Sequence, residues 1–343
     1  MRLDYLVLIG QFAPFHNGHL ALVRRALDRA QTVIVLMGSA GRARNSRHPW
    51  TEHERDRMLR SALPEAGNRI IVRPLRDHLY NENAWISAVQ TAVREAIGEP
   101  SDTSTRIGLM SGQAPASVDT VRAFPQWTHE ECPWVDMPTA HQLREHLLSE
   151  TEDGMTLVRG HVPPPVFSQF DAFRATSEYR ALAEEHAFVQ TYRQGWAGAP
   201  YPPTFVTVDA VVVHSGHLLL VARGAQPGKG LWALPGGFVR GNERLMDAVL
   251  RELREETRLK LPAPVLRGSV RSQDVFDHPE RSLRGRTITH AFYFEFPAGD
   301  LPAVKGGDDA AKARWFPLAD LRALESQIYE DHFYIVERFV GRL

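Results

Sequence analysis

The chain has 343 residues, enough for about two domains at roughly 150 residues each. It is 43% hydrophobic and 24% charged, and its 40 Lys plus Arg against 41 Asp plus Glu leave a formal charge of −1. That composition suits an ordinary globular fold and supplies no global basic field for nucleic acid or anionic membrane. The single cysteine, Cys132, excludes a disulfide framework and a multi-cysteine zinc site, and is in keeping with a cytoplasmic location. No apolar run nears the 18 or so residues of a membrane span, and the first one, residues 6–9, is too short for a signal-peptide core.

Residues 4–9 read as a buried strand and 32–38 as a second, with helical apolar spacing through 19–30 between them. One helix between two buried strands is the βαβ unit of a parallel sheet, whose ligands sit beyond the strands' carboxyl ends. The loop GQFAPFHNGH lies there. Thr51 with Glu54 three residues on predicts a capped helix over 51–62. A strand at 70–75, a helix at 84–97 and a strand at 106–112 complete a doubly wound α/β domain over about 1–150.

The prolines of VPPPVF (162–167) argue against regular helix or central strand, and 151–200 reads as a connector carrying helices of its own. A second domain is expected over 201–343, opening with a hairpin, TFVTVDAVVV and HLLLVAR, around His214-Ser215-Gly216.

The strongest pattern runs from Gly236 to Leu259. On a helix Glu252, Glu255 and Glu256 stand at i, i+3 and i+4, on one face. Such carboxylates repel unless a divalent cation lies among them, and hard oxygen ligands suit Mg²⁺ or Mn²⁺. Alone, the three also read as a solvated acidic face paired with Arg251 and Arg254. The wider spacing resembles the Nudix box, matching at Gly237, Glu243, Arg251, Glu252, Leu253, Glu255, Glu256 and Leu259. It departs where the last glycine is Arg258. The resemblance implies that Glu252, Glu255 and Glu256 are the catalytic metal ligands, braced by Arg251 and Glu243. The flanking RGAQPGKGLWALPGGF, DVFDHPERSLRGRTITHAFYF, GGDDAAKARWFPLADL and YEDHF resemble the ADP-ribose pyrophosphatase branch. Gly236 and Gly237 with Arg223, Arg284 and Arg286 are candidates for phosphate or ribose oxygens, and Trp232 and Phe276 for stacking on adenine, with surface or core roles as the alternatives.

In the first half, His16-Asn17-Gly18-His19 falls between predicted strand and helix. Gly18 lets backbone approach a ligand, the helix N-terminus offers amides to phosphate, and the two imidazoles can donate to an α-phosphate as charge develops. A structural His pair capping the helix is the alternative. GQFAPFHNGHL resembles the nucleotidyltransferase signature. With GSAGRARNSRHPWTEHER and RDHLYNENAWISAVQ, the whole chain resembles the two-domain family joining nicotinamide-mononucleotide adenylyltransferase to a Nudix ADP-ribose pyrophosphatase.

That resemblance implies an α/β fold: an N-terminal Rossmann-like nucleotidyltransferase domain and a C-terminal α/β/α Nudix domain. It implies ATP, nicotinamide mononucleotide, NAD and ADP-ribose as ligands, with His16 and His19 on the ATP phosphates. Phe12, Gly18, Thr139 and Arg144 would join them, Trp85 would stack on nicotinamide, and Asn81 or Asn83 would meet the carboxamide. Neither nucleic acid nor membrane is implied, and a homo-oligomer is compatible.

Departures from the family lie at Gln11-Phe12-Ala13-Pro14, for Arg-Phe-Gln-Pro, at His141, for a threonine, and across 111–120, where a lysine is missing. Two readings therefore stand: a bifunctional enzyme, or a Nudix hydrolase carrying a degenerate nucleotide-binding domain. A transcription regulator is not expected, because the 27 residues after Phe316 are too few for a winged helix and no basic patch is visible.

Overall fold

The computed structural model describes residues 2–98, 105–112, 117–132 and 137–341. It divides into two compact units, Met1–Glu184 and Glu185–Leu343.

The first unit opens with β1 (Leu3–Gly10), α1 (Asn17–Arg29), β2 (Ala30–Met37), α2 (Glu52–Ala62), β3 (Ile70–Pro74) and α3 (Glu82–Ile97). It continues with β4 (Ile107–Gly112), α4 (Ser117–Ala123) and β5 (Thr128–Cys132). Four helices follow: α5 (Ala140–Ser149), α6 (Glu152–His161), α7 (Pro164–Arg174) and α8 (Ser177–Gln194), the last ending in the second unit. The sheet order is β3-β2-β1-β4-β5, every pair parallel. Its central strands bury both faces, which is why they read as continuous apolar runs. Leu6, Leu8, Val33 and Val35 pack on the side of α1 and α2, while Val7, Ile34 and Leu36 face Val89 and Val93 of α3. The Thr51–Glu54 capping box expected at the start of α2 is present.

Much of the expected connector packs in the first unit. Val158, Val166, Phe170, Phe173 and Tyr179 join the core that holds Leu6 and Leu8. VPPPVF is also helical, contrary to its reading as irregular: Pro163 caps α7 and Pro164 and Pro165 fill its first turn. Proline is tolerated there because the amides of a first turn have no helical acceptor to lose.

The second unit contains β6 (Phe205–His214), β7 (His217–Arg223), β8 (Trp232–Ala233), β9 (Gly236–Phe238), α9 (Leu245–Thr257) and α10 (Ala263–Gly268). After these come β10 (Val270–Phe276), β11 (Thr287–Phe296), β12 (Ala310–Pro317), α11 (Leu321–Leu324) and α12 (His332–Val340). The main sheet runs β10-β11-β6-β7-β12, with β8 on β7 and β9 on β6. The β6–β7 hairpin turns through Ser215 and Gly216, both at positive φ. On one face Val208, Ala210, Phe292 and Phe294 pack against Val249, Leu250 and Leu253 of α9. On the other, Phe339 of α12 meets Phe276 and Tyr293, giving the α/β/α layering. Among the described residues, no helix is long and apolar enough to cross a membrane.

Candidate functional sites

In the first unit, β1 delivers the chain to a loop whose carbonyls are held by two buried arginines. Arg55 of α2 donates to Gln11 O at 2.5 Å and Gly38 O at 2.8 Å, and Arg144 of α5 donates to Ala13 O. Phe12 turns at φ 51° and its buried ring lies 4.8 Å from that of His19. His16 caps α1: its Nδ1 accepts from the amides of Gly18 at 3.1 Å and His19 at 3.4 Å. The two imidazoles stack with centroids 3.8 Å apart. A Cβ on Gly18 would stand 2.6 Å from Met137 Sδ and 3.0 Å from the His16 ring, so a side chain there would press on the capping imidazole.

Burial, then the positive charge of Arg144 and the neighbouring His161, holds the His16 pKa down at about 4. Burial also drives His19 well below its ordinary value, with His16 and Arg144 adding to it and the Pro14 carbonyl opposing. A neutral His16 that accepts on Nδ1 carries its proton on Nε2 and is a hydrogen-bond donor at neutral pH.

His16, Gly18, His19, Phe12 and Arg144 thus meet around one loop. Thr139 caps α5, accepting from the Gln142 amide at 3.2 Å, one turn before Arg144. Asn81 caps α3, accepting from the Ala84 amide at 3.0 Å, and Asn83 is exposed two residues on. Both follow β3, at the same carboxyl edge of the sheet but two strands from β1. Trp85 is half-buried, with its ring 5.8 Å from Phe124 on the α3 face. Gln11 stands where the family signature has arginine, and donates to Ser39 Oγ at 3.3 Å. Residues 113–116 of the altered 111–120 segment lie outside the described residues.

In the second unit the Nudix-like segment folds as β9, a loop and α9. Arg251 is its hub. It donates to Glu243 Oε1 at 2.6 Å, Glu252 Oε1 at 2.7 Å, Glu255 Oε2 at 3.0 Å and Phe238 O at 3.3 Å. Glu252 and Glu256 are buried, while Glu255 is half-buried. Glu256 accepts from the Gly236 amide at 2.9 Å. Hydrogen bonding to Arg251 holds Glu243 down at about 2. Burial raises Glu252, with Arg251 opposing and Glu255 and Asp309 adding to the rise. Burial, then Asp309 and Glu252, pushes Glu256 up to about 9 against the Gly236 amide. Arg258, where the box has glycine, takes φ 54° and ends the helix in the conformation a glycine would supply.

A cleft of about 660 Å³ opens beside Glu256. Its lining includes the expected Arg223, Arg284, Gly236, Gly237 and Glu256. Trp232, Phe276 and Arg286 are not brought to it. Trp232 packs edge-on against Phe316 at 4.7 Å, Phe276 is consumed in the core beside Phe339, and Arg286 donates to Asp277 O.

The structure adds residues that no helical spacing could reveal. Asp309 arrives from the loop before β12, a loop tied to α9 by Gly307 N donating to Glu256 O at 3.1 Å. Arg281 makes a buried two-pronged pair with Asp331, at 2.9 and 3.0 Å, and its Nη2 lies 3.9 Å from Asp209. The motif-flanking segments 274–294, 306–321 and 329–333 contained Arg281, Asp309 and Asp331, but only the fold shows which of their side chains converge.

The donor set fits a hard divalent cation, because Asp309 crowds both Glu252 and Glu256 and adds to the rise that burial gives each of them. Among the described residues no group of three acidic or imidazole side chains already stands at metal-ligand spacing. Arg251 and the Gly236 amide engage the glutamates instead.

The fold and these two sites define a nucleotidyltransferase unit followed by a Nudix unit in one chain. The cytidylyltransferase-like family model matches residues 7–92 and the NUDIX domain model matches 203–339. An ADP-ribose pyrophosphatase of Methanocaldococcus jannaschii is 36% identical over 135 residues, 39% of this chain and 72% of that protein. A nicotinamide/nicotinic acid mononucleotide adenylyltransferase of Acinetobacter baylyi is 34% identical over 131 residues, 38% of this chain and 67% of that one. The crystal structure of a bifunctional NMN adenylyltransferase/ADP-ribose pyrophosphatase from Francisella tularensis, complexed with AMP and a manganese ion, covers 98% of both chains at 32% identity and TM-score 0.92. The chain belongs to the family of bifunctional NMN adenylyltransferase/ADP-ribose pyrophosphatases.

Proposed function

We propose that the first unit joins ATP and nicotinamide mononucleotide into NAD and pyrophosphate, and that the second hydrolyses ADP-ribose to AMP and ribose 5-phosphate. The observation that carries this reading is the pairing of a neutral, amide-anchored His16 on α1 with the Arg251-braced carboxylates of α9 in one chain.

In adenylyl transfer a 5′-phosphate oxygen of the mononucleotide attacks the α-phosphorus of ATP, and pyrophosphate leaves. Positioning and charge stabilisation suffice for such a step. His16 donates from Nε2 to the charge that develops, His19 supports its ring by stacking, and the α1 N-terminus adds its dipole. Arg144 and Arg55 hold the loop carbonyls of Ala13 and Gln11 and so fix the path of the loop into α1.

In hydrolysis a water oxygen attacks one phosphorus of the diphosphate and the two monophosphates separate. A divalent cation, Mg²⁺ or Mn²⁺, supplies charge neutralisation and a more acidic water when bound. Glu252, Glu255 and Glu256 would hold it, with Asp309 beside them. Arg251 orients Glu252 and Glu255 and ties them to the Glu243 loop. Arg223 would face the ligand's anionic oxygens.

The test is direct. Purified protein with ATP, nicotinamide mononucleotide and Mg²⁺ should form NAD, and H16A or H19A should lose it. ADP-ribose should be cleaved, and E256Q should lose that activity alone. Absence of NAD from protein that still cleaves ADP-ribose would instead carry the second reading, a Nudix hydrolase with a retasked first unit. The neutral Gln11 bound to Ser39 is the observation on its side.

A further inference from the structure

Four consecutive residues, 329–332, fasten three separate segments of the cleft wall in the second unit. The Tyr329 amide donates to Trp232 O of β8 at 2.8 Å. Glu330, at φ 44°, accepts from the Leu283 amide at 2.8 Å, and the fully buried Asp331 takes the two-pronged hydrogen bond from Arg281. His332, buried as the first residue of α12, reaches the bend between β8 and β9: its Nδ1 accepts from the Leu234 amide at 2.9 Å. An imidazole that accepts on Nδ1 carries its proton on Nε2, and Nε2 stands 3.9 Å from Asp209 Oδ1. Asp209 is itself fixed, because Thr289 Oγ1 donates to its Oδ2 at 2.5 Å. A Cβ on Gly236 would stand 2.6 Å from Asp209 Oδ1, so this carboxylate packs on the far side of the same bend.

We infer that His332 is a positioning residue for the hydrolysis: it holds the 234–236 bend on the path that lets the Gly236 amide meet Glu256. The inference rests on the reading of this unit as an ADP-ribose hydrolase and gives the YEDHF segment a role in it. The bend is anchored through its backbone. Pro235 has no amide to give, and its carbonyl accepts from Ala210 N at 2.8 Å. The Leu234 amide is held by His332, and the Gly236 amide, two residues on, donates to Glu256 Oε2 at 2.9 Å. A buried amide without an acceptor is costly, so loss of the imidazole acceptor forces the Leu234 peptide to turn. Gly236 moves with it, and Glu256 loses the donor that fixes its place among the carboxylates. Arg281 and Asp331 act one step further back: their buried pair sets where α12 begins, and with it where the His332 ring lies. His332 also lines the cleft, so direct contact with substrate is the rival role.

The experiment is steady-state hydrolysis of ADP-ribose, with calorimetric titration of Mn²⁺ alongside, on wild type, H332F, H332A and H332N. E256Q marks the Mn²⁺ binding that belongs to these carboxylates. H332F keeps a ring and loses the acceptor, whereas H332N puts an amide oxygen where Nδ1 stood. In H332F, kcat should fall about tenfold or more, KM should stay within about threefold, and Mn²⁺ should bind severalfold more weakly. H332N should bring kcat and Mn²⁺ binding back to within about threefold of wild type. H332A should match H332F, and decides the matter if the larger ring prevents folding. A kcat within about twofold of wild type in both H332F and H332A would overturn the positioning role. A raised KM with Mn²⁺ binding unmoved would overturn it in favour of direct substrate contact. An H332N as impaired as H332F would overturn it too, since the acceptor would then be irrelevant. Wild-type protein that binds Mn²⁺ without cleaving ADP-ribose would sink the assigned reaction instead, and the Mn²⁺ titrations alone would then judge His332. Wild-type protein that does neither would end both.

Discussion

A Cβ on Gly237 would stand 2.6 Å from Oε1 of Glu252, so the Glu252 carboxylate packs directly on the backbone of β9. The glycine is therefore a steric requirement of the acidic site: any side chain there displaces the carboxylate or the strand. G237A should lower ADP-ribose hydrolysis on the order of 100-fold, the usual effect of an ångström-scale misplacement. NAD formation in the same protein should be unchanged. Equal rates of hydrolysis in G237A and wild type would refute the packing argument.

Arg251 concentrates three carboxylates on one guanidinium, with only 16% of its side chain exposed. Removing it leaves Glu243, Glu252 and Glu255 without their shared cation. R251A should destabilise the second unit by about 2 kcal/mol, less than a fully buried pair would lose because Glu255 is only half-buried. Thermal unfolding followed with the first unit's activity as an internal control measures it. R251K should recover only part, because an ammonium cannot reproduce the forked geometry.

Glu256 titrates near 9 in the fold against an ordinary 4.5. The folded protein therefore holds a proton that the unfolded chain has released, and stability falls as pH rises from 4.5 to 9. Removing the charge removes that penalty. At pH 8 without divalent ions, E256Q should unfold at a higher temperature than wild type while lacking hydrolase activity. Adding Mn²⁺ or Mg²⁺ should stabilise wild type and leave E256Q nearly unmoved. A wild-type melting temperature indifferent to both ions would exclude a cation among these carboxylates.

His16 shifts the other way, from 6.5 to about 4. Between those values the unfolded chain binds a proton that the folded one refuses, so stability is lost as pH falls through that window, on the order of 3 kcal/mol in all. Adenylyl transfer should show no inflection near pH 6.5 from this residue and should fall only as pH approaches 4. NMR titration of the His16 ring checks the value independently of activity.

Arg144 reaches from α5 back to the Ala13 carbonyl, and its charge bears on His16 and His19. R144A should lower NAD formation on the order of 100-fold and leave ADP-ribose hydrolysis intact. Rescue by R144K to within tenfold would show that charge, rather than the guanidinium's grip on the loop, is what matters.

Local patterns carried most of the fold into view. The buried strands at 3–10 and 30–37 and the capped α2 declare themselves through neighbour-to-neighbour rules that hold before any tertiary contact forms. VPPPVF misled because proline's effect depends on position in a helix, and only the packing of Phe167 and Phe170 into the first core fixes that position. Nothing in the spacing of the helices after 151 says which core receives them.

The sequence by itself determined the two phosphate-handling motifs, since HxGH and the Glu252–Glu255–Glu256 face are set by short spacings within one loop or one helix. It determined as well, through proline and glycine placement, where many of the elements begin and end. Tertiary structure alone decided which aromatic residue lines the cleft, Phe238 rather than Phe276, because Phe276 packs against Phe339 in the core while Phe238 is left exposed. It alone brought Asp309 to Glu256 from more than fifty residues away, and Arg144 to Ala13 across 131 residues. Contacts at such separations depend on the path of the whole backbone, which no local period encodes.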